Sequence, residues 1–127
     1  FSVDIRDIRD EGISKVEQLI REEVKRISSE YGLQYSISLV GDSKPVKLSE
    51  EVISVIQRTA EEIGVKYLKM HSGAGHDSAI LTEVTDVGMI FVPSIEGISH
   101  APDENTTFED LKTGCDVLVN SLVKLAQ

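Results

Sequence analysis

Residues 71–102, with the sequence HSGAGHDSAILTEVTDVGMIFVPSIEGISHAP, contain all three histidines of the 127-residue chain. A short strand predicted at residues 65–70 leads into this stretch and is followed by a glycine-containing turn and a short helix that starts near His76. The uncharged run VGMIFV at residues 87–92 predicts a second strand, of the kind that is buried on both faces of an α/β sheet. Ligands bind beyond the carboxyl ends of the strands in such sheets. We therefore expect His76 and His100 to face one cavity.

The turn Ser72-Gly73-Ala74-Gly75 precedes the helix predicted at residues 76–83. Because glycine lets the backbone bend sharply and a helix start carries a positive partial charge, this turn suits an oxyanion, a carboxylate or a carbonyl oxygen. His76 is therefore a candidate for substrate contact, although it could instead only cap the helix. His100 is a candidate metal ligand, although a histidine in such a loop could instead only form hydrogen bonds within it.

The motif SGAGHD at residues 72–77, followed 24 positions later by GISH at residues 97–100, resembles the C-terminal part of a known enzyme group. The group comprises N-carbamoyl-L-amino-acid hydrolases, allantoate amidohydrolases and β-ureidopropionases, which are dinuclear metal amidohydrolases of the M20 peptidase superfamily. Against the usual GISHSPEE, this chain has Ala101 and Asp103, with Glu104 retained. The resemblance implies an α/β fold that combines the C-terminal part of a phosphorylase/hydrolase-like catalytic domain with half of a ferredoxin-like β-α-β lid domain.

The same resemblance implies roles for individual residues. His100 would be a metal ligand, His76 a catalytic and substrate-binding residue, and Gly75 a backbone contact of the substrate, with Asp77 and Glu104 orienting the histidines. The parent enzyme would hold two divalent ions, Zn, Mn, Co or Ni, although the fragment itself need not bind any. A metal-bridged hydroxide would attack the carbamoyl or ureido carbonyl of a small N-carbamoyl amino acid or ureido acid, and His76 would stabilise the oxyanion.

Residues 1–41 are expected to form the second half of the lid. The alternating sequence FSVDI predicts a strand, residues 12–30 have the apolar spacing of an amphipathic helix, and LQYSISLV at residues 33–40 predicts another strand. Half a lid has an unpaired sheet edge, which the missing half or a second copy in a homodimer should cover. Because the chain starts inside a predicted strand, we expect it to be a fragment of a longer protein.

Arg6 is the candidate residue for binding a substrate carboxylate. In the resembled group an Asp-x-Arg motif of the lid supplies an arginine for this purpose, and Asp4-Ile5-Arg6 matches it. The planar guanidinium suits a carboxylate because it can donate two parallel hydrogen bonds. Alternatively, Arg6 only pairs with Asp4 or Asp7 on an exposed face.

Residues 42–127 are expected to form the C-terminal part of the metal-binding catalytic domain. Ser49 is expected to cap a helix that Gly64 ends, and its predicted buried stripe is Val52, Val55 or Ile56, Ala60 and Ile63. A long final helix is predicted within residues 105–127, with a capping box at residues 106–109. Its predicted packed face consists of Leu111, Cys115, Leu118, Leu122 and Val123.

Composition excludes several classes of partner. The chain has 13 basic and 22 acidic residues, a net charge of −9, and no basic stripe, so nucleic acid is not expected as a partner. No apolar run approaches the roughly twenty residues that span a membrane, so no membrane partner is expected. One cysteine, Cys115, allows no internal disulfide, which fits a cytoplasmic location.

Two hypotheses of different classes follow from the sequence. In the first, the chain is part of a metal-dependent amidohydrolase and is inactive alone, because the other ligands and the general base lie outside it; an M20 dipeptidase or deacylase is a close variant. In the second, the chain is a stand-alone α/β module for dimerisation or ligand binding, without catalysis. Neither the substrate within the group nor the metal follows from the residues.

Overall fold

The computed structural model describes residues 1–127 and contains helices but no β-ladder. Its elements are α1 (Asp10–Tyr31), α2 (Glu50–Glu62), α3 (Asp77–Leu81), a single 3₁₀ turn (Ile95–Gly97) and α4 (Phe108–Leu125). The chain divides into two compact units: the first comprises Phe1–Val46 with His71–Gly75, and the second comprises Lys47–Met70 with His76–Gln127. The expected boundary after residue 41 therefore lies five residues before the observed one, and the glycine turn belongs to the first unit.

Helix α1 follows its predicted pattern and dominates the first unit. It ends at Gly32, whose φ of 64° is left-handed and whose N–H bonds to Ser28 O, as expected for a glycine after a helix. On its exposed side Arg26 pairs with Glu23 and Glu30 at 2.7 Å, and each such pair contributes only a few tenths of a kcal/mol. The predicted apolar stripe remains half-buried or exposed, and Ser28 is the one buried residue of this unit. The first unit therefore has no closed apolar core.

The core of the second unit lies where α2 packs against α4. Its buried residues are small: Val55, Thr59 and Ala60 on α2, and Val117 and Ser121 on α4. Thr59 has no exposed surface, and its hydroxyl donates to Val55 O at 2.8 Å, so the buried polar atom is satisfied. The Ser49 oxygen accepts a bond from Val52 N, which confirms the predicted cap of α2.

The predicted packed face of α4 is wrong. Its five residues, Leu111, Cys115, Leu118, Leu122 and Val123, are exposed. The small face through Gly114, Val117 and Ser121 packs instead, since an added Cβ at Gly114 would lie 2.4 Å from Val92 Cγ1. The cap also differs by one residue, because Thr107, not Thr106, accepts from Asp110 N. The prediction used hydrophobicity alone and therefore chose the face with the larger apolar side chains. In the structure the face with the smaller side chains packs instead, because it allows a closer approach.

The four predicted strands are not formed, so the half ferredoxin-like lid is not confirmed. Residues 34–40, 66–70 and 88–92 make no backbone-to-backbone hydrogen bonds, and the same holds for residues 1–5. A strand exists only through such bonds to a neighbour.

We expect Val117→Ala to destabilise the second unit by roughly 2 kcal/mol, because it removes two buried methyl groups from the contact between α2 and α4. Urea unfolding followed by the helical circular dichroism signal measures the effect. Val119→Ala on the same helix is the matched control, since Val119 is 57% exposed, and it should change stability by less than about 0.5 kcal/mol. Equal effects of the two substitutions would contradict the packing described here.

Candidate functional site

The guanidinium of Arg6 connects the start of the chain to the glycine turn within the first unit. Its Nε and Nη2 donate to Asp4 Oδ2 at 3.0 and 2.6 Å, and its Nη1 donates to Gly73 O at 3.1 Å. The sequence left open whether Arg6 binds a carboxylate or pairs with Asp4. In the structure it pairs with Asp4, but one nitrogen also fixes the carbonyl of the turn. Arg6 and the turn are therefore physically joined.

The ion pair between Arg6 and Asp4 shifts the pKa of both groups. Hydrogen bonding from Arg6, and then its positive charge, lowers the pKa of the Asp4 carboxyl. The same contact raises the pKa of the Arg6 guanidinium. Both side chains are more than 60% exposed, so a competing carboxylate from solution has access to this guanidinium.

The turn itself is open and does not use the left-handed conformations that glycine permits. Neither Gly73 nor Gly75 has a positive φ, and a Cβ added at either position would meet no atom within 4 Å. The Ala74 N–H donates to Ser72 Oγ at 3.2 Å. The missing side chains therefore leave the backbone of the turn accessible, which is what a substrate contact at Gly75 requires.

His76 occupies the N-cap position of α3, with φ −135° and ψ 149°, but its side chain makes no capping hydrogen bond. The half-buried imidazole packs against Phe91, with ring centroids 5.5 Å apart and planes inclined by 58°. The sequence did not predict this contact, because nothing distinguished Phe91 from the other residues of the apolar run at residues 87–92. Asp77 is the exposed first residue of α3.

His100 lies in the loop that follows residues 87–93 and is exposed. Its φ is 56°, which is uncommon for a residue with a side chain, and its backbone N–H donates to Glu104 Oε2 at 2.6 Å. Glu104 therefore holds the backbone of His100, whereas the sequence suggested that it orients the ring. The base of the loop is closed by a bond from Ile95 N to Asn105 O at 2.8 Å.

The structure brings together some of the candidate residues. Arg6 meets the glycine turn in the first unit, while His76 contacts the segment that leads to His100 in the second. Two cavities, of about 630 Å³ beside Tyr35 and about 230 Å³ beside Ser49, are lined by none of these residues. The shared cavity expected for the two histidines stays a prediction.

The residues present do not by themselves fit a pair of metal ions. No group of three or more His, Cys, Asp or Glu side chains is close enough to hold a metal, whereas a closed site needs about four ligands. His100 would supply one imidazole. None of the four α-helices combines the length and the apolar character of a membrane span.

Comparison with known proteins identifies similar chains. Residues 5–124 match the family model described as peptidase family M20/M25/M40. The chain is 40% identical over 124 residues to the N-carbamoyl-L-amino-acid amidohydrolase of Pseudomonas sp. strain NS671, covering 98% of this chain and 30% of that protein. It is 34% identical over 126 residues to the allantoate amidohydrolase of Escherichia coli K12, covering 99% and 31%.

A solved structure has the same fold. The amidase of the hydantoinase/carbamoylase family from Burkholderia vietnamiensis superimposes with a TM-score of 0.80 at 28% identity, covering 92% of this chain and 28% of that one. The chain thus spans less than one-third of the length of the proteins that it matches. The match extends over both units of the chain.

We expect Arg6→Gln to return the pKa of the Asp4 carboxyl to near its ordinary value of 3.8, from which Arg6 lowers it. Because the lowered pKa keeps the Asp4 carboxyl charged, the ion pair with Arg6 persists at neutral pH. It is lost only as the pH falls below the ordinary carboxyl pKa of 3.8. NMR titration of the Asp4 side-chain carbon measures the shift. Arg9→Gln is the control and should leave the Asp4 titration unchanged; an equal response to both variants would contradict the contact.

Proposed function

Because the chain belongs to peptidase family M20/M25/M40, we propose that it is part of a metal-dependent amidohydrolase acting on N-carbamoyl-L-amino acids, allantoate or related ureido acids. The bond cleaved is the carbamoyl or ureido C–N bond. Support comes from the names of the relatives, which are N-carbamoyl-L-amino-acid amidohydrolase and allantoate amidohydrolase. The chain corresponds to under one-third of these enzymes, so the activity is proposed for the longer protein and not for this chain alone.

The hydrogen bond from Arg6 to Gly73 O carries the proposal. The proposed substrates have a carboxylate and, at a short distance from it, a carbonyl that becomes an oxyanion. Arg6 is the type of side chain that binds the carboxylate, and the glycine turn offers open backbone for the carbonyl end. This hydrogen bond joins Arg6 directly to Gly73, which lies 67 positions later in the sequence. The substrate carboxylate would replace Asp4 on the exposed guanidinium.

His76 is proposed to act on the carbonyl end of the substrate. It follows Gly75 directly in the chain, and packing of its imidazole against Phe91 limits the rotation of the ring. A histidine held in this way can donate a hydrogen bond to a developing oxyanion. His100 is proposed as a metal ligand, and one exposed imidazole does not complete a metal site, so we propose that this chain alone is inactive.

The test is a chimera in which residues 1–127 replace the matched segment of the Pseudomonas enzyme. We expect it to hydrolyse at least one of N-carbamoyl-L-amino acids, allantoate and β-ureido acids, with release of the products followed by chromatography. His100→Ala in the chimera should lower kcat/KM at least about 100-fold if it ligates a metal. Arg6→Gln should lower it about 10- to 100-fold through KM, because a charged hydrogen bond to the carboxylate is lost.

His71→Ala is the matched control, since His71 is exposed and has no role in the proposal; its activity should stay within about twofold. Hydrolysis of dipeptides or N-acyl amino acids instead would assign the chain to a dipeptidase or deacylase. A folded chimera without any of these activities would favour the stand-alone binding module.

We also propose that the chain forms a homodimer through residues 33–40. This segment, LQYSISLV, is exposed along its whole length, contains neither charge nor proline, and has no backbone partner between residues 34 and 40. Such a segment is suited to pair with a copy of itself, because charges and prolines are the features that usually prevent edge pairing. Two antiparallel copies would satisfy each other's backbone groups along the edge at which they pair.

We expect sedimentation equilibrium to give a dimer whose dissociation constant rises at least about tenfold in Ser36→Lys/Ser38→Lys, because these two lysines would face their counterparts across the pair. Ser43→Lys lies outside the segment and should leave the constant unchanged. A monomer at all concentrations would refute self-pairing and would leave the segment to another strand of the longer protein.

A further inference from the structure

The short helix α3 lacks the features that usually fix a helix in place. It has only five residues, none of them is buried, and the side chain of its N-cap residue, His76, forms no capping hydrogen bond. Isolated helices shorter than about twelve residues are marginal in water, so packing against other segments must determine where α3 lies. His76 immediately precedes α3, and therefore whatever fixes the start of this helix also fixes the position of His76.

Two side-chain contacts join the start of α3 to residues 89–91. The imidazole of His76 packs against the ring of Phe91, with a centroid distance of 5.5 Å. Two residues further along, the hydroxyl of Ser78 donates a hydrogen bond to Met89 Sδ at 2.9 Å. The earlier residue on one side thus meets the later residue on the other. The two segments therefore lie side by side and run in opposite directions.

Residues 88–92 are themselves held by the helical core of the second unit. A Cβ added at Gly88 would lie 2.7 Å from Val52 Cγ1 of α2, and one added at Gly114 of α4 would lie 2.4 Å from Val92 Cγ1. The two ends of the run therefore approach the core helices, whereas its odd-numbered residues contact the start of α3. This alternation is expected where successive side chains point to opposite sides of a segment. The odd-numbered side chains thus connect α3 to the core.

The contact between the two rings does not by itself determine the direction of the His76 imidazole. The Phe91 ring is 53% exposed, and aromatic pairs are stable at several inclinations over a range of distances. A hydrogen bond is more directional, because it weakens steeply as the angle at the donor departs from linearity. The bond from Ser78 to Met89 is a second point of attachment beside the first. Two points fix the rotation of the start of α3, which one point would leave open.

We propose that Ser78 and Met89 are positioning residues for His76. The hydrogen bond from the Ser78 hydroxyl to Met89 Sδ holds the first turn of α3 against residues 89–91, and so restricts the directions in which the imidazole can point. Because a thioether sulfur is a weak acceptor, the bond contributes to orientation more than to stability. The inference rests on the proposed role of His76 at the substrate carbonyl, and extends it to two residues that act only through His76.

NMR spectra of this chain test the geometry without any need for activity. We expect Ser78→Ala and Met89→Leu each to weaken the nuclear Overhauser effect between the rings of His76 and Phe91 at least about twofold, because each removes the hydrogen bond. Ser78→Thr keeps a hydroxyl and should restore the effect. Met70→Leu is the matched control, since Met70 is 62% exposed, and it should change nothing. A ring contact that is unchanged in both Ser78→Ala and Met89→Leu overturns the inference.

Kinetics of the chimera test the consequence for catalysis. Ser78→Ala and Met89→Leu should each lower kcat about 2- to 10-fold and leave KM within about twofold, because a misdirected imidazole affects the transition state and not the binding of the carboxylate. The double variant Ser78→Ala/Met89→Leu should lose no more than either single variant, since all three lack the same hydrogen bond.

Multiplied losses in the double variant would overturn the inference, and so would a rise in KM at unchanged kcat. A folded but inactive chimera would refute the proposed function instead. The ring contact measured in the chain alone would then decide the inference by itself, so the two proposals can fail independently.

Discussion

The structure depends on the close contact between α2 and α4, where the three buried apolar side chains of the molecule lie: Val55, Ala60 and Val117. Small residues allow the two helices to approach closely, and residues 87–93 pack against both helices. The loop with His100 begins where that segment ends. Because the first unit has no comparable core, its order comes from α1 and from polar contacts such as that between Arg6 and Gly73.

The helices were largely predictable from sequence because their signals are local. Gly32 ends α1 and Ser49 caps α2 as expected, since capping depends on residues only a few positions apart. Strands were not predictable in the same sense. The patterns at residues 33–40 and 87–92 are typical of strands, but pairing needs a neighbour at a distance in sequence, and no such neighbour pairs with them here. The face of α4 was missed because hydrophobicity does not report how closely two helices approach.

The candidate site was predictable at the level of residue type, and less so in its contacts. Motif resemblance identified Arg6, His76 and His100 as candidates. It did not predict that Arg6 donates a hydrogen bond to a carbonyl 67 positions away or that Phe91 packs against His76. Long-range contacts leave no trace in the spacing of a single sequence. Glu104 was correctly placed near His100, yet it accepts from the backbone and not from the ring.

The left-handed backbone of His100 has a consequence for how that position can vary. Glycine adopts this conformation without the steric cost, about 1 kcal/mol, that a side chain incurs there. On folding grounds alone, glycine would be tolerated at position 100 as well as or better than histidine. Because the His100 side chain is exposed and its backbone is left-handed, neither packing nor backbone geometry favours histidine over glycine at this position.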